Sequence, residues 1–143
     1  MASVPPDLFF KAMTRIHIFL YRTSNGKLWN KMTGMPVLLL TTTGRKSGRL
    51  RTTPLVYVRD GDDYLIAASK GGANSHPAWY LNLKATPEVR VETGGRAFTA
   101  RATITAGEER NRMFERFKSA GPNFATYEQM AGRTIPVVRL TPV

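Results

Sequence analysis

Apolar residues near the start of the chain recur at helical spacing. Phe9, Met13, Ile16 and Leu20 follow one another at intervals of four, three and four residues, which predicts an amphipathic helix over about residues 7–22. Several of the polar positions between them are basic. Such a helix either packs on a larger domain or lies on a membrane surface, and the sequence leaves both interpretations open.

After residue 35 the pattern changes to strands separated by turns rich in Gly, Asn and Asp. Short β-branched and alternating runs predict six strands, at residues 37–43, 49–59, 64–69, 88–92, 96–105 and 134–140. Pro54 predicts that part of the second strand is an edge or a bulge. Helical patterns cover residues 77–85, 107–119 and 123–130.

The chain is interpreted as one domain over residues 1–143, since it contains no linker, repeat or low-complexity segment. Residues 1–35 are the N-terminal helix and its connection, and residues 36–143 form the β-sheet part. Closing the sheet removes exposed strand edges. The predicted fold is therefore mainly β (α+β): a six-stranded antiparallel barrel with an N-terminal helix and flanking helices.

Composition excludes several kinds of catalytic site. The chain has no cysteine and only two histidines, which excludes thiolate chemistry and disfavours a metal centre, so no metal is expected. Neither a Ser/His/Asp set nor a pair of carboxylates is recognisable. A reaction without protein nucleophiles favours a cofactor that carries the chemistry.

Charge is concentrated at one end of the chain. The net charge is +11, and residues 1–59 hold ten of the basic residues but only one acidic residue, Asp7. A one-sided basic field attracts anions, whether nucleic acid, an anionic membrane, or a phosphorylated or polycarboxylate small molecule. Positive charges also interrupt the first apolar stretch, so it is not a secretory signal and a cytoplasmic location is expected.

The turn after the first strand is the densest polar cluster. Gly44 and Gly48 allow a tight connection whose backbone N–H groups can face an anion, and Arg45, Lys46 and Arg51 supply positive charge there. The interval between the glycines is too short for a Walker A loop. A solvated basic hairpin is the alternative interpretation of this segment alone.

A second cluster follows the third strand. Residues 67–72 combine small side chains, a hydroxyl, a cation and two glycines, which permits the close approach of a flat ligand. Residues 74–83 then begin a short helix that carries the aromatic pair Trp79 and Tyr80. The two clusters together indicate an anion site beside a planar slot.

These residues resemble the deazaflavin (coenzyme F420)-dependent nitroreductase and quinone reductase family. The resemblance spans roughly residues 8–142 and rests on residues 38–48, 53–55, 68–73, 77–83 and 134–138. It implies a split β-barrel, similar to the FMN-binding split barrels, that binds coenzyme F420, a deazaflavin with a phosphodiester and a glutamate tail. It also implies hydride transfer from the reduced cofactor to a quinone-like or other electron-poor acceptor.

The resemblance assigns site residues as well. The phosphate and tail are assigned to Arg45, Lys46 and Ser47, with Arg51, Thr52, Thr53, Pro54, Leu55 and Val56 beside them. The deazaflavin ring is assigned to Ala67, Ala68, Ser69 and Lys70, and the helix side of the site to Ala78, Trp79, Tyr80, Leu81 and Asn82. Ser69 and Tyr127 are the catalytic candidates, and Phe124 and Tyr127 the acceptor pocket.

The chain departs from its family in one segment. Some members line the acceptor pocket with several tyrosines, whereas residues 121–127 here retain only Tyr127. Reduction of nitro compounds is therefore not assumed.

Alternatives and partners stay open at this point. The alternatives are an FMN-binding split-barrel oxidoreductase and a non-enzymatic module that binds lipid or nucleic acid. Nucleic acid is not expected, because binders that stack bases interleave aromatic residues with cations and residues 45–51 contain none. A lipophilic quinone is one candidate acceptor, reached by peripheral contact of residues 7–22 with the inner face of the cell membrane. Monomer and homodimer are equally open.

Overall fold

The computed structural model describes residues 6–32, 34–121 and 123–143, so residues 1–5 of the predicted domain lie outside it. The helices within these residues are α1 (Pro6–Thr23), α2 (Ala78–Ala85), α3 (Gly107–Ala120) and α4 (Phe124–Ala131). The strands are β1 (Lys31–Met32), β2 (Met35–Thr43), β3 (Leu50–Val56), β4 (Val58–Asp60), β5 (Asp63–Ala67), β6 (Glu88–Thr93), β7 (Arg96–Ile104) and β8 (Val137–Pro142).

The strands form one curled antiparallel sheet. The order is β1-β2-β6-β7-β8-β5-β4, and β3 is an additional partner of β2. Only Tyr57 separates β3 from β4, so one continuous segment joins the two ends of the sheet. The result is a half-barrel, in agreement with the predicted antiparallel architecture.

The predicted strands are all present, but the second one is divided. Residues 50–56 pair with β2, whereas residues 58–60 pair with β5 on the far side of the curl. Between them the Tyr57 N–H donates to the Pro36 carbonyl (3.1 Å). One straight strand cannot reach both partners, so the prediction of a single strand over 49–59 is wrong. The short strand β1 was not predicted.

Both faces of β2 are buried, which explains its run of apolar residues. Leu38 and Leu40 face a cluster that also contains residues of β5, β6 and β8 and of α2. Val37 and Leu39 face the opposite side, where Tyr21 of α1 packs against them. A third cluster lies beneath α3 and α4 and is centred on phenylalanines.

Polar contacts hold the second half of α1 on the sheet. The Tyr21 hydroxyl donates to the Val37 carbonyl (3.0 Å), and His17 Nε2 lies 2.8 Å from the Trp29 carbonyl oxygen. Arg22 binds both carboxylate oxygens of Glu92 (3.0 and 2.7 Å). Burial raises the pKa of the Tyr21 phenol.

The apolar face identified in the sequence is not the face that packs. The buried positions of α1 are His17 and Tyr21, whereas Phe9, Met13 and Ile16 are 52%, 37% and 46% exposed. The predicted helix thus lies on the sheet, but its most hydrophobic face points to solvent. Single exposed apolar residues are common on protein surfaces, whereas a contiguous exposed apolar face indicates an interaction surface.

Candidate functional site

A cavity of about 720 Å³ opens between α1, the turn after β2, the strand β3 and the start of α2. This volume falls in the range of small-molecule and cofactor sites. Nine residues that the family resemblance assigned to the cofactor line it: Arg45, Lys46, Ser47, Arg51, Thr52, Thr53, Ala78, Trp79 and Asn82. The fold therefore brings together three segments that are well separated in sequence.

The turn after β2 has a defined backbone geometry. The Gly44 N–H donates to the Arg49 carbonyl (2.7 Å), and the Gly48 N–H donates to the Gly44 carbonyl (2.8 Å). Ser47 Oγ accepts from the Arg49 N–H (3.2 Å). A Cβ at Gly44 would lie 2.7 Å from that hydroxyl oxygen and 3.1 Å from the Arg49 carbonyl oxygen, so a larger residue would displace the Ser47 side chain and crowd the turn. The closed turn presents Arg45 and Lys46 to the cavity.

Asn82 fixes this turn to α2. The side chain is buried, its Nδ2 donates to Thr42 Oγ1 (3.1 Å), and its Oδ1 accepts from the Arg45 N–H (3.1 Å). The amide thus satisfies polar groups on both β2 and the turn. Asn82 positions the cation-bearing turn, and its predicted contact with a cofactor stays a prediction.

The charge of the cavity is one-sided. Five cations line it, namely Lys11, Arg15, Arg45, Lys46 and Arg51, and its described lining contains no Asp or Glu. Among the side chains of residues 8–32, 34–70, 72–121 and 123–143, none of these cations forms an ion pair. An unneutralised cluster of this kind favours an anionic ligand, and a phosphate- and carboxylate-bearing cofactor fits it.

Two of those cations come from α1, which sequence reasoning did not place in the site. Lys11, Thr14, Arg15 and Ile18 all line the cavity. Their spacing of three, one and three residues puts them on one helical face. That spacing is the sequence signal for this face of α1, which differs from the apolar face that contains Phe9.

The second predicted cluster lies at the end of β5. Ser69 precedes a short 3₁₀ turn over Lys70–Gly72. Gly72 has a φ of +87°, and a Cβ there would lie 3.3 Å from the Tyr127 Cα. The turn therefore packs directly on α4, and the fold brings the segments of Ser69 and Tyr127 together.

Arg133 holds the loop that follows this turn, a role that the sequence did not reveal. The guanidinium donates to the carbonyl oxygens of Ala68 (3.0 Å), Ser69 (3.3 Å), Ala73 (3.1 Å) and Ser75 (2.9 Å) and to His76 Nδ1 (3.2 Å). A planar guanidinium with five N–H donors suits such a set of acceptors. Its partners lie up to 65 residues away in sequence.

His76 receives the hydrogen bond as a neutral imidazole. Burial, followed by the nearby charges of Arg133 and Lys84, lowers the pKa of His76. The Nδ1 atom is then free to accept from Arg133, and the ring lies 4.7 Å from that of Tyr80. The interaction links the loop to α2.

The other predicted residues do not line the large cavity. Ala68, Tyr80 and Phe124 are buried, Leu55 and Leu81 pack on the first core cluster, and Val56, Ala67 and Tyr127 pack on the cluster beneath α3 and α4. Pro54 faces Leu39 across the β2–β3 pair. Lys70 is exposed, with its Nζ 3.4 Å from Ser75 Oγ. Contact of these residues with a ligand stays a prediction.

Comparison with known proteins identifies the family. The model of the F420H(2)-dependent quinone reductase family matches residues 13–142. The chain belongs to this family. An F420H(2)-dependent quinone reductase of Mycobacterium tuberculosis is 41% identical over 133 residues, which cover 90% of this chain and 89% of the relative.

Solved structures agree with this assignment. An F420-H2 dependent reductase (FDR-A) is 40% identical with a TM-score of 0.68, over 73% of this chain and 93% of that chain. A chain described as a domain-swapped dimer is 33% identical with a TM-score of 0.71, over 95% of this chain and 99% of that one. The split-barrel fold, coenzyme F420 as the cofactor and an oxidoreductase of the quinone reductase type are thereby confirmed.

Proposed function

We propose that this protein binds reduced coenzyme F420 in the cavity beside α1 and uses it to reduce a quinone-like acceptor. The observation that carries the proposal is the large cavity lined by five cations and no described carboxylate, in a member of this family. When bound, the reduced deazaflavin supplies a hydride, and one further proton completes the conversion of a quinone to a quinol.

The cations of the turn and of β3 hold the anionic part of the cofactor. Arg45 and Lys46 project from a turn whose shape is fixed by its own hydrogen bonds and by Asn82, and Arg51 lines the same cavity. Because the backbone of the turn is fixed before binding, the turn itself loses little conformational entropy when an anion arrives.

Residues of α2 and of the Ser69 turn orient the ring. Trp79 lines the cavity from α2, while Tyr80, the next residue, packs against His76 of the loop that Arg133 holds. A single short helix thus connects the anion site to the Ser69 turn. Fixing both ends of the cofactor on one rigid element favours a reproducible distance to the acceptor.

Ser69 and Tyr127 assist the acceptor. Their segments meet at Gly72, and each side chain carries a hydroxyl that can donate a hydrogen bond. A donor aimed at the quinone oxygen stabilises the negative charge that develops there, and the Tyr127 phenol can deliver a proton.

Substitution of these hydroxyls tests their role. We expect Ser69→Ala and Tyr127→Phe each to lower kcat for quinone reduction by roughly 10- to 100-fold, the usual range for one lost donor or proton donor. Cofactor affinity, measured by fluorescence titration, should stay unchanged, because neither hydroxyl lies among the cavity cations. Loss of cofactor binding together with kcat would contradict the assignment to the acceptor side.

The exposed face of α1 supports peripheral membrane contact as part of this function. Among the described residues, no helix is long and apolar enough to cross a membrane. Phe9 and Phe19 are nevertheless 52% and 64% exposed, and the exposed Trp29 lies beside α1. Apolar side chains near exposed cations such as Lys27 and Lys31 are typical of helices that lie on anionic bilayers. At the bilayer surface the protein would have access to a lipophilic quinone.

Co-sedimentation with anionic vesicles checks this contact. We expect the full chain to bind vesicles and the variant Phe9→Ser/Phe19→Ser to lose most of that binding, because burial of these rings supplies the apolar part of the affinity. The matched control Met130→Ser/Val143→Ser removes exposed apolar side chains away from α1. Equal sedimentation of all three proteins would refute the membrane proposal.

A further inference from the structure

The part of α1 that precedes His17 borders the cavity and carries two cations, for which the described side chains offer no ion-pair partner. Lys11 and Arg15 are exposed, both line the cavity, and neither forms an ion pair with any of residues 8–32, 34–70, 72–121 and 123–143. Arg22, about two turns beyond Arg15 on the same helix, does have a partner in Glu92. The cations facing the cavity therefore differ from the one that anchors the helix.

The position of α1 places these cations on the cavity that the turn after β2 also lines. Tyr21 and Arg22 bind the end of the helix to the sheet, and His17 binds the Trp29 carbonyl in the loop that follows the helix. The preceding turns of the helix then extend over β3 and form one border of the cavity, with the cation-bearing turn and α2 among the others. Lys11 and Arg15 are four residues apart, so their side chains lie one helical turn apart along that border.

Two like charges at this spacing repel each other when no anion is near. Such a pair destabilises an isolated helix, and three further cations line the same cavity. An anion with several negative groups reduces this repulsion and is attracted by the cations of α1 and by those of the turn and β3. The arrangement favours a ligand with charges spread along its length over a single compact phosphate.

We infer that Lys11 and Arg15 of α1 form a second anion subsite, which binds the carboxylates of the cofactor tail beyond the phosphate held by the turn. The inference rests on the proposed binding of coenzyme F420 and assigns part of that binding to α1. The subsite makes cofactor affinity depend on the length of the glutamate tail. One face of α1 then binds the cofactor, while another face is exposed to solvent.

The test compares ligands of different tail length by fluorescence titration of the full chain, with no turnover needed. The ligands are oxidised coenzyme F420 with several glutamates, the form with one glutamate, and the ring-and-ribityl fragment without phosphate. The variants are Lys11→Gln/Arg15→Gln, the charge-conserving Lys11→Arg/Arg15→Lys, and the control Arg101→Gln/Arg112→Gln, which removes two exposed charges outside the cavity.

For the wild-type chain we expect tighter binding of the long-tailed form than of the form with one glutamate. In Lys11→Gln/Arg15→Gln, the affinity for the long-tailed form should fall about tenfold, which corresponds to two partly screened ion pairs. The affinity for the tail-less fragment should change less than about twofold. The charge-conserving variant and the control should bind like the wild type.

Two results would overturn the subsite. One is an unchanged affinity of Lys11→Gln/Arg15→Gln for the long-tailed form. The other is an equal loss for all three ligands, which would mean that α1 supports the cavity without contacting the tail. Failure of the wild-type chain to bind any form of F420 would overturn the proposed function itself, and is distinguishable from both results.

Discussion

Replacement of Arg133 by alanine should lower the free energy of unfolding by about 2–4 kcal/mol, measured by urea or thermal unfolding. The side chain serves four backbone carbonyls and His76 Nδ1, and removing it leaves partly buried acceptors without a donor. Each hydrogen bond to a charged group is worth roughly 1.5–3 kcal/mol, but water can replace some of the donors at a half-exposed loop.

Two controls separate this network from a general effect of charge. Arg133→Lys keeps the charge but lacks the planar set of donors, so it should recover only part of the stability. Arg101→Ala removes an exposed arginine from β7 and should change the free energy of unfolding by less than about 0.5 kcal/mol. An Arg133→Ala protein as stable as the wild type would show that the network does not hold the loop.

Removal of the turn cations should have the largest effect on cofactor binding. We expect Arg45→Gln/Lys46→Gln to weaken coenzyme F420 binding about 100-fold at low ionic strength, because two charge-assisted contacts to the anion are lost. The wild-type affinity should also fall as salt is raised, whereas that of the variant should respond less, since screening acts on the lost charges. Fluorescence titration at several salt concentrations measures both effects.

The matched control for charge is Lys27→Gln/Lys31→Gln. These two cations belong to the same basic segment of the chain but do not line the cavity. The control should bind the cofactor with nearly the wild-type affinity. If it loses as much affinity as Arg45→Gln/Lys46→Gln, the general positive field of residues 1–59 would explain binding, and the defined turn would not.

Local patterns predicted most elements of the fold. Periodicity located the first helix and the six strand regions, because each element buries a face of its own residues. The break at Tyr57 escaped prediction, since it arises from the curl of the whole sheet and leaves no local signal. The packing face of α1 also escaped, because a tertiary contact made by His17 and Tyr21 prevailed over the stronger apolar stripe.

The sequence also predicted part of the candidate site. Glycines and cations grouped within one turn marked the anion site, and nine assigned residues do line one cavity. Lys11 and Arg15 were recognised as polar positions of a helix, but only the fold shows which wall they form. All hydrogen-bond partners of Arg133 lie more than 50 residues away in sequence. No local pattern could therefore predict the role of this side chain.

The central claim is that the basic cavity binds coenzyme F420, and a fluorescence titration of the purified protein with the oxidised cofactor tests it most directly. FMN titrated in parallel serves as the competing planar ligand. Micromolar affinity for F420, about −8 kcal/mol, with clearly weaker binding of FMN is the result that the account predicts. Preference for FMN, or binding of neither ligand, would contradict it.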